Sequence, residues 1–398
     1  MIIAPDQYTI ADMFRESGYR TAAVGKWHLG LGAVRGQQDW NGKISPALQD
    51  VGFDYSYIIP ATADRVPCVF VENGRVAGYD PDAPIGVSYS EPFPGEPLGK
   101  DHPELLVKMH PAYGHDQAIV NGISRIGYMK GGGKALWKDE DIADSITAKA
   151  LNFITENRNA PFFLYVGTSD IHVPRYPHAR FSGKSGMGYR GDAILQLDWT
   201  VGEIVKRLKK EGIYDNTLIV FTSDNGPILN DGYKDQAVEL AGDHRPWGQF
   251  RGAKSSIYEA GTRVPFIVVW KNVIKTGTSE ALVSHIDLFA SMASLLDVRL
   301  KAGAASDSWN QLPALLGKDI SGRKYIVESA KQLSVSTGEW KYIEPKLNRR
   351  TGKTQPEELY HLTDDISETD NVAAEFPEKL EELKNILEKE KSRTPETK

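Results

Sequence analysis

The chain has 398 residues, of which 40% are hydrophobic, enough to bury a large core divided between one large and one small domain. Its 47 basic and 53 acidic residues give a net charge of −6, so no basic face is expected and nucleic acid is excluded as a partner. No apolar run approaches the roughly 20 residues that a membrane span needs. The one cysteine, Cys68, excludes an internal disulfide framework and a cysteine-based zinc cluster.

The first predicted elements are a short helix and a strand. Residues Thr9–Ser17 have a helical pattern that Gly18 ends, and Thr21–Gly25 has the pattern of a strand. A sheet of an α/β protein normally opens with a core strand rather than with a helix. We therefore expect further residues upstream of this sequence.

The middle of the chain alternates strands with helices. Strands are predicted at residues 161–167, 218–221 and 264–270, and helices at 191–211 and 286–296. This alternation predicts an α/β fold with a mainly parallel sheet that helices cover on both faces. Residues 54–138 are rich in Pro and Gly and weakly periodic, and they are predicted to form a long insertion that supplies a substrate-binding rim.

Short alternating runs begin near Ser321 and predict a small antiparallel sheet, which a terminal helix starting at Pro377 follows. We therefore divide the chain into an α/β domain, residues 1–320, and a small C-terminal α+β subdomain, residues 321–398.

The polar residues that are candidates for catalysis or binding follow the predicted strands. In open α/β sheets, ligands bind beyond the carboxyl ends of the strands. The candidates at such positions, or in the loops after them, are Lys26, His28, His172, Asp224, Asn225 and Lys254. Two lysines, two histidines and an Asp-Asn pair suit an anionic tetrahedral substrate.

Each of these signals has a plain structural alternative. Asp224 and Asn225 offer oxygen ligands that favour calcium or magnesium over zinc, but Ser-Asp-Asn-Gly is also a common turn. Lys26 and His28 also fit a strand exit, His172 fits a structural histidine, and Lys254 fits a solvated charge. The order and the strand-end placement of the whole set strengthen the functional interpretation.

Four motifs in this order resemble the type I sulfatase family. They are Gly25-Lys-Trp-His-Leu-Gly, Asp170-Ile-His-Val-Pro, Ser223-Asp-Asn-Gly-Pro, and Arg251-Gly-Ala-Lys followed by Glu259-Ala-Gly-Thr-Arg-Val-Pro-Phe. The resemblance extends to Glu358-Leu-Tyr-His-Leu-Thr-Asp-Asp. It implies an alkaline-phosphatase-like fold, one calcium ion and the hydrolysis of sulfate esters, and similarity to polysaccharide-degrading members implies a sulfated carbohydrate substrate.

The resemblance also implies a role for each candidate. Asp224 and Asn225 match metal ligands of the family, and Lys26 and Lys254 match the lysines that hold the sulfate oxygens. His28 matches the histidine beside the nucleophile. His172 matches the histidine near the leaving oxygen, which suits a proton donor.

Substrate contacts beyond the sulfate are expected from polar loop residues. We expect His115 and Arg175 to bind the sugar, and the wider set of candidates is Asp116, Asn121, His178, His244 and Arg245. A solvated loop side chain is the alternative for each of them.

Two family elements do not occur in this sequence: a pair of Asp residues that supplies the other calcium ligands, and a Cys/Ser-x-Pro/Ala-x-Arg motif whose first residue becomes the formylglycine nucleophile. Cys68 is followed by Val-Phe-Val-Glu and does not match that motif. Both elements are expected upstream of Gly25, so we expect the chain to be truncated and inactive by itself. Full-length relatives are expected to be periplasmic or secreted.

Two other functions compete with a sulfatase. A phosphodiesterase or phosphatase of the same superfamily uses two zinc ions, for which a His beside the Asp is expected, and Asn225 argues against it. A catalytically inactive sulfatase-like protein that binds sulfated glycans through its lysines is the non-enzymatic alternative.

Overall fold

The structure is a computed structural model, and it describes residues 1–347 and 351–393. The chain forms two compact units. The first comprises Met1–Tyr214 and Leu229–Asp243, and the second comprises Asp215–Ile228 and the described residues from His244 onward. The domain boundary at residue 320 stays a prediction.

The first unit contains three helices and nine strands among its described residues. In chain order they are α1 (Ile10–Glu16), β1 (Arg20–Lys26), β2 (Tyr55–Ile59), β3 (Val71–Glu72), β4 (Arg75–Val76), β5 (Gly86–Ser88), β6 (Ile119–Val120), β7 (Ile123–Ser124), β8 (Tyr128–Lys130), α2 (Ile142–Glu156), β9 (Phe162–Gly167) and α3 (Gly188–Lys210). Short 3-10 helices lie at Leu48–Val51, Pro103–Leu105, Gly133–Ala135, Asp139–Asp141 and Ala179–Phe181.

The central sheet of this unit has the strand order β4-β3-β2-β1-β9. Strand β1 pairs in parallel with both β2 and β9, so that Gly25 lies between Ile58 and Gly167. Strands β3 and β4 extend the sheet with antiparallel pairs. The predicted α/β fold with a mainly parallel sheet is confirmed.

Helices cover both faces of this sheet. Phe14 of α1 stacks on Phe163 at 4.5 Å between ring centroids, and Phe153 of α2 packs on Phe162 at 5.9 Å. Successive residues of a strand point to opposite faces, so α1 and α2 lie on opposite sides of β9. Burial of these rings is the main stabilising contribution of the two helices.

The region 54–138 differs from the irregular insertion that the sequence predicts. It contains β2, which pairs with the core strand β1, and the short pairs β5-β8 and β6-β7. Strands β5, β6, β7 and β8 have two or three residues, which is too short to show a period of two and explains why the pattern missed these four.

The second unit carries the remaining strands and helices. In chain order they are β10 (Ile219–Thr222), α4 (Glu259–Thr262), β11 (Phe266–Val269), α5 (Asp287–Leu295), α6 (Leu312–Leu315), β12 (Ile326–Ser329), β13 (Leu333–Ser336), β14 (Trp340–Ile343), β15 (Lys346–Leu347), β16 (Thr354–Gln355), β17 (Glu358–His361) and α7 (Pro377–Ser392). Strands β10 and β11 pair antiparallel, although alternation with helices favours parallel pairing.

The small C-terminal sheet has the order β12-β13-β14-β17 and is antiparallel throughout. Helix α7 packs on it through Leu383 and Leu387, which are buried with Val335 and Tyr342. The predicted antiparallel sheet and terminal helix are confirmed. Within residues 1–347 and 351–393, no helix is both long and apolar enough to cross a bilayer.

Candidate active site

In the first unit, the candidate residues lie at one edge of the central sheet. Lys26 ends β1, and His28 follows it in an exposed loop. His172 lies in the loop after β9, which is the parallel neighbour of β1. Because parallel strands end at the same edge, the structure places the predicted Lys26, His28 and His172 loops side by side there.

Gly25 makes this arrangement of the strands possible. Its φ is +101°, and a Cβ at this position would lie 2.0 Å from the carbonyl oxygen of Gly167. Only glycine fits where β1 and β9 approach each other this closely. The residue therefore fixes the path of the chain into Lys26 and His28.

The contacts of His172 determine which ring nitrogen is available for chemistry. Its Nδ1 lies 2.8 Å from the carbonyl oxygen of Val173, and a carbonyl only accepts, so Nδ1 carries a proton. Its Nε2 lies 3.9 Å from Oδ2 of Asp231, and the side chain is 21% exposed. The imidazole is thus oriented with Nε2 as the nitrogen that gains or loses a proton.

The predicted His115 is paired in the same unit with Asp64, a residue that the sequence did not identify. Asp64 follows β2, and its Oδ2 lies 2.9 Å from Nε2 of His115. Nδ1 of His115 lies 3.1 Å from the carbonyl oxygen of Tyr113. Since both partners accept hydrogen bonds, both ring nitrogens carry protons and His115 is an imidazolium.

The pKa shifts agree with this assignment. Burial opposes the ionised form of Asp64, but the hydrogen bond from His115 and the positive charge of His172 lower its pKa well below its usual value. Desolvation likewise opposes the charged form of His115, while the hydrogen bond to Asp64 and that to the Tyr113 carbonyl raise its pKa. Both shifts favour the ionised form of the pair.

Two predicted substrate contacts prove to be engaged within the protein. Arg175 is 2% exposed, and it donates to the Asp235 carboxylate at 2.6 Å and to the carbonyl oxygens of Leu229 at 2.9 Å and Ile171 at 3.1 Å. His115 is bound as described above. These contacts give both residues a structural role, and sugar binding by them stays a prediction.

Asn121 and His178, two of the wider candidates, also make internal contacts. Asn121 accepts from Lys108 at 2.7 Å and donates to Asp139 at 2.8 Å. Nδ1 of His178 accepts from the backbone of Arg180 at 3.2 Å. Their described bonds hold loops in place.

In the second unit, Asp224 and Asn225 lie in the turn after β10. The hydroxyl of Ser223 donates to the Asn225 carbonyl oxygen at 3.0 Å, and the Asn225 side-chain amide donates to the Gly226 carbonyl oxygen at 2.9 Å. In this orientation the amide nitrogen of Asn225 is used in a hydrogen bond, and Oδ1 is the side-chain atom suited to bind a cation. His285, which the sequence did not identify, holds the strand end through a 2.7 Å contact with Thr222.

The loop that carries Lys254 is tied to this turn by backbone contacts. The Lys254 amide donates to the Pro227 carbonyl oxygen at 2.9 Å, and the Gly226 amide donates to the Gly261 carbonyl oxygen at 3.0 Å. A Cβ at Gly226 would lie 1.7 Å from the carbonyl oxygen of Ala260. The structure thus brings together the three predicted site residues of the second unit.

A buried charge cluster supports the same loop. Lys341 is fully buried, and its Nζ lies 2.8 Å from Glu259, 3.1 Å from Glu328 and 3.6 Å from Glu368. Burial opposes its charge, but the carboxylates raise its pKa. Burial also raises the pKa of Glu368 to about 7. The cluster joins the C-terminal sheet to α4, next to the Lys254 loop.

The side-chain oxygens of Asp224 and Asn225 form only part of a binding site for a hard cation. A carboxylate and an amide oxygen suit calcium or magnesium, and Asp224 and Asn225 supply these two donors. Within residues 1–347 and 351–393, no group of three or more His, Cys, Asp or Glu side chains is arranged to hold a metal ion. Asp224 and Asn225 are thus fewer than the roughly six to eight oxygen ligands that calcium takes.

Cys68 does not act as a nucleophile in this structure. Its side chain is buried, and burial raises the pKa of its thiol to about 12. A thiol of this kind remains protonated and inert. This agrees with the lack of a nucleophile motif around it.

Comparison with known proteins decides the family. A model of the sulfatase family matches residues 2–298. The chain belongs to the sulfatase family. It is 53% identical over 403 residues to the N-acetylgalactosamine-6-O-sulfatase of Bacteroides thetaiotaomicron, covering 99% of this chain and 78% of that protein. Human arylsulfatase A is 27% identical over 407 residues, covering 96% of this chain and 70% of its own length. These relatives are sulfuric ester hydrolases by name.

Solved structures give the same fold for this sulfatase. A structure from a study of the metabolism of multiple glycosaminoglycans by Bacteroides thetaiotaomicron superimposes with a TM-score of 0.94 at 53% identity, covering 98% of this chain and 83% of that one. A sulfatase from Pseudoalteromonas sp. has a TM-score of 0.67 at 19% identity, covering 96% and 72%, which supports the fold alone.

Proposed function

We propose that this sulfatase hydrolyses sulfate esters of a sulfated sugar, with 6-O-sulfated N-acetylgalactosamine as the substrate unit. The observation that carries the proposal is the 53% identity, across 99% of the chain, to a protein named for that reaction. The candidate lysines, histidines and metal ligands lie at strand ends or in the loops after them.

The first unit supplies a cation and two histidines. The Lys26 ammonium is suited to bind a sulfate oxygen and to offset its negative charge. His28, in the loop directly after Lys26, is assigned to the position beside the nucleophile. His172 is assigned as the proton donor: as an oxygen of the nucleophile bonds to sulfur and the S–O bond to the sugar breaks, the proton leaves Nε2 and forms an O–H bond on the departing alcohol.

The second unit supplies Lys254 and two metal ligands. Lys254 is assigned to the sulfate oxygens, like Lys26. Asp224 and Asn225 are assigned to one calcium ion, which when bound would add positive charge for the sulfate group. The close backbone contacts around Gly226 fix the turn and the loop that carry these three residues.

The nucleophile in this proposal is a formylglycine that the described residues do not provide. Cys68 is excluded by its burial and by its neighbours. The proposal is therefore tested first by binding, which does not require the nucleophile.

A binding experiment with the chain as it stands tests the proposal. Calorimetric titration with N-acetylgalactosamine 6-sulfate, in the presence of calcium, is compared with the unsulfated sugar. We expect binding of the sulfated sugar only, and about tenfold weaker binding in Lys26→Ala and in Lys254→Ala, because each loses a charge-assisted contact. Exposed Lys184→Ala and Lys318→Ala are the matched controls.

Two results would overturn the proposal. Equal binding of the sulfated and unsulfated sugars would show that the site does not recognise sulfate. Binding of two zinc ions per chain, with a preference for a phosphate ester, would point instead to phosphoryl transfer.

A further inference from the structure

Asp231 is an acidic residue that the proposed function does not use. It lies in the first unit, in the segment 229–235, and its Oδ2 is 3.9 Å from Nε2 of His172. This is an ion-pair distance rather than a hydrogen bond. The two side chains are similarly sheltered, with 22% and 21% of their surface exposed. Water therefore screens the pair less than it would screen a fully exposed one.

The orientation of the His172 ring determines which nitrogen faces Asp231. Nδ1 already holds one proton through the Val173 carbonyl oxygen. A second proton on the imidazole must therefore lie on Nε2, the nitrogen that faces Asp231. A carboxylate at such a distance favours the protonated ring.

Backbone contacts hold Asp231 in this position. The Gly232 carbonyl oxygen accepts from the Ala112 amide at 2.8 Å, and the Asn230 carbonyl oxygen accepts from the Tyr113 hydroxyl at 3.0 Å. Gly232 has a φ of +102°, and a Cβ there would lie 2.2 Å from Cε1 of His115. The segment is thus packed against the His115 ring, which leaves Asp231 little room to move.

Three other charged groups of the first unit near His172 have described partners. Asp64 influences His172 electrostatically and is hydrogen-bonded to His115, and His115 also interacts electrostatically with Asp231. Asp170 accepts from Gln196 at 3.0 Å, and Arg175 is bound to Asp235. The Asp231 carboxylate lies at ion-pair distance from Nε2.

We propose that Asp231 is a positioning residue that keeps the second proton on Nε2 of His172. This proton is the one that the proposed function transfers to the leaving alcohol, so the use of the proton rests on that function. The retention of this proton on the ring does not depend on the proposed function.

Nitrogen-15 NMR titration of the full chain tests the proposal. The His172 ring is assigned by its loss in His172→Gln, and its pKa is measured in the wild type, in Asp231→Asn and in the control Glu239→Gln. Glu239 is an exposed carboxylate in the neighbouring stretch of chain. We expect Asp231→Asn to lower the pKa of His172 by about one unit, and Glu239→Gln to change it by less than about 0.2 unit.

A salt titration of the wild type adds a readout that needs no substitution. Since the interaction is electrostatic, raising the salt concentration to about 1 M is expected to lower the pKa of His172 in the wild type and to change it little in Asp231→Asn. An unchanged pKa in Asp231→Asn, with the fold retained in the amide spectrum, overturns the proposal.

This experiment is independent of the proposed function. The titration requires neither substrate, calcium nor nucleophile. If the sulfated sugar does not bind but the pKa of His172 falls as expected, the proposed function fails and the role of Asp231 stands. If the sulfated sugar binds but the pKa of His172 does not change in Asp231→Asn, the role of Asp231 fails and the proposed function stands.

Discussion

His172 in the first unit and the candidate residues of the second unit have different surroundings. In the first unit, His172 lies among charged side chains, with Asp231 at 3.9 Å and the buried Asp64–His115 pair nearby. In the second unit, Asp224, Asn225 and Lys254 lie on a turn and a loop that are joined by backbone hydrogen bonds and by the close approach of Gly226 to Ala260.

This difference corresponds to what each group must do. A proton donor needs a suitable pKa, and nearby charges set a pKa. Metal ligands and lysines that hold an anion need fixed geometry, which tight backbone packing provides. Substitutions in the first unit should therefore mainly change protonation, and those in the second should mainly change stability and geometry.

The largest expected effect is in the second unit, at the buried lysine. Lys341→Met leaves Glu259, Glu328 and Glu368 without their common cation, and uncompensated buried charges are costly. We expect a loss of about 3–5 kcal/mol in the free energy of unfolding, measured by urea denaturation. The exposed Lys318→Met should change it by less than about 0.5 kcal/mol. A small loss at Lys341 would mean that the cluster does not support the loop.

The next effect tests the backbone contact itself. In Gly226→Ala, the new methyl group would meet the Ala260 carbonyl oxygen, which is backbone and must shift. We expect a loss of about 3 kcal/mol in the free energy of unfolding by urea denaturation. Gly277→Ala is the matched control, because nothing lies within 4 Å of a Cβ at that position. Equal stability of the two variants would show that Gly226 is not tightly packed.

The smallest effect is in the first unit and depends on pH. Because the folded-state pKa of His115 is raised, its contribution to stability is fully present below the unfolded pKa of about 6.5 and is lost as pH rises through the folded value. Asp64→Asn removes the partner that raises it. We expect this variant to lose about 1–2 kcal/mol at pH 6, and less at higher pH.

Thermal unfolding across pH 5–9 measures this prediction, with the exposed Asp101→Asn as control. In the wild type, stability should fall as pH rises above the unfolded pKa of His115. A pH-independent difference between Asp64→Asn and the wild type would mean that His115 is not an imidazolium in the folded protein.

The sequence was most informative where long elements end in polar residues. Strands β1, β9 and β10 were recognisable from their apolar runs, and each leads directly into a motif that matches the family. The terminal helix and the small sheet are predictable from the helical and alternating spacing of their apolar residues. The ordered motifs were therefore sufficient to recognise the family before any coordinates.

The partners of these residues could not be predicted in the same way. Asp64 and His115 are 51 residues apart in the sequence, and Lys341 meets Glu259 across 82 residues. A periodic pattern in the sequence does not predict a contact between such distant side chains, because the contact depends on how loops pack. For the same reason, the pattern of residues 54–138 predicts an insertion, although β2 belongs to the central sheet.

The measurement that tests the central claim most directly compares two leaving groups in a protein that also carries the nucleophile motif. His172→Gln should slow sulfate release from N-acetylgalactosamine 6-sulfate by about 10²–10⁴-fold, since the departing alcohol needs a proton. Release from 4-nitrophenyl sulfate should slow far less, because that leaving group is stable as an anion. Equal losses on both substrates would contradict the assignment of His172 as the proton donor.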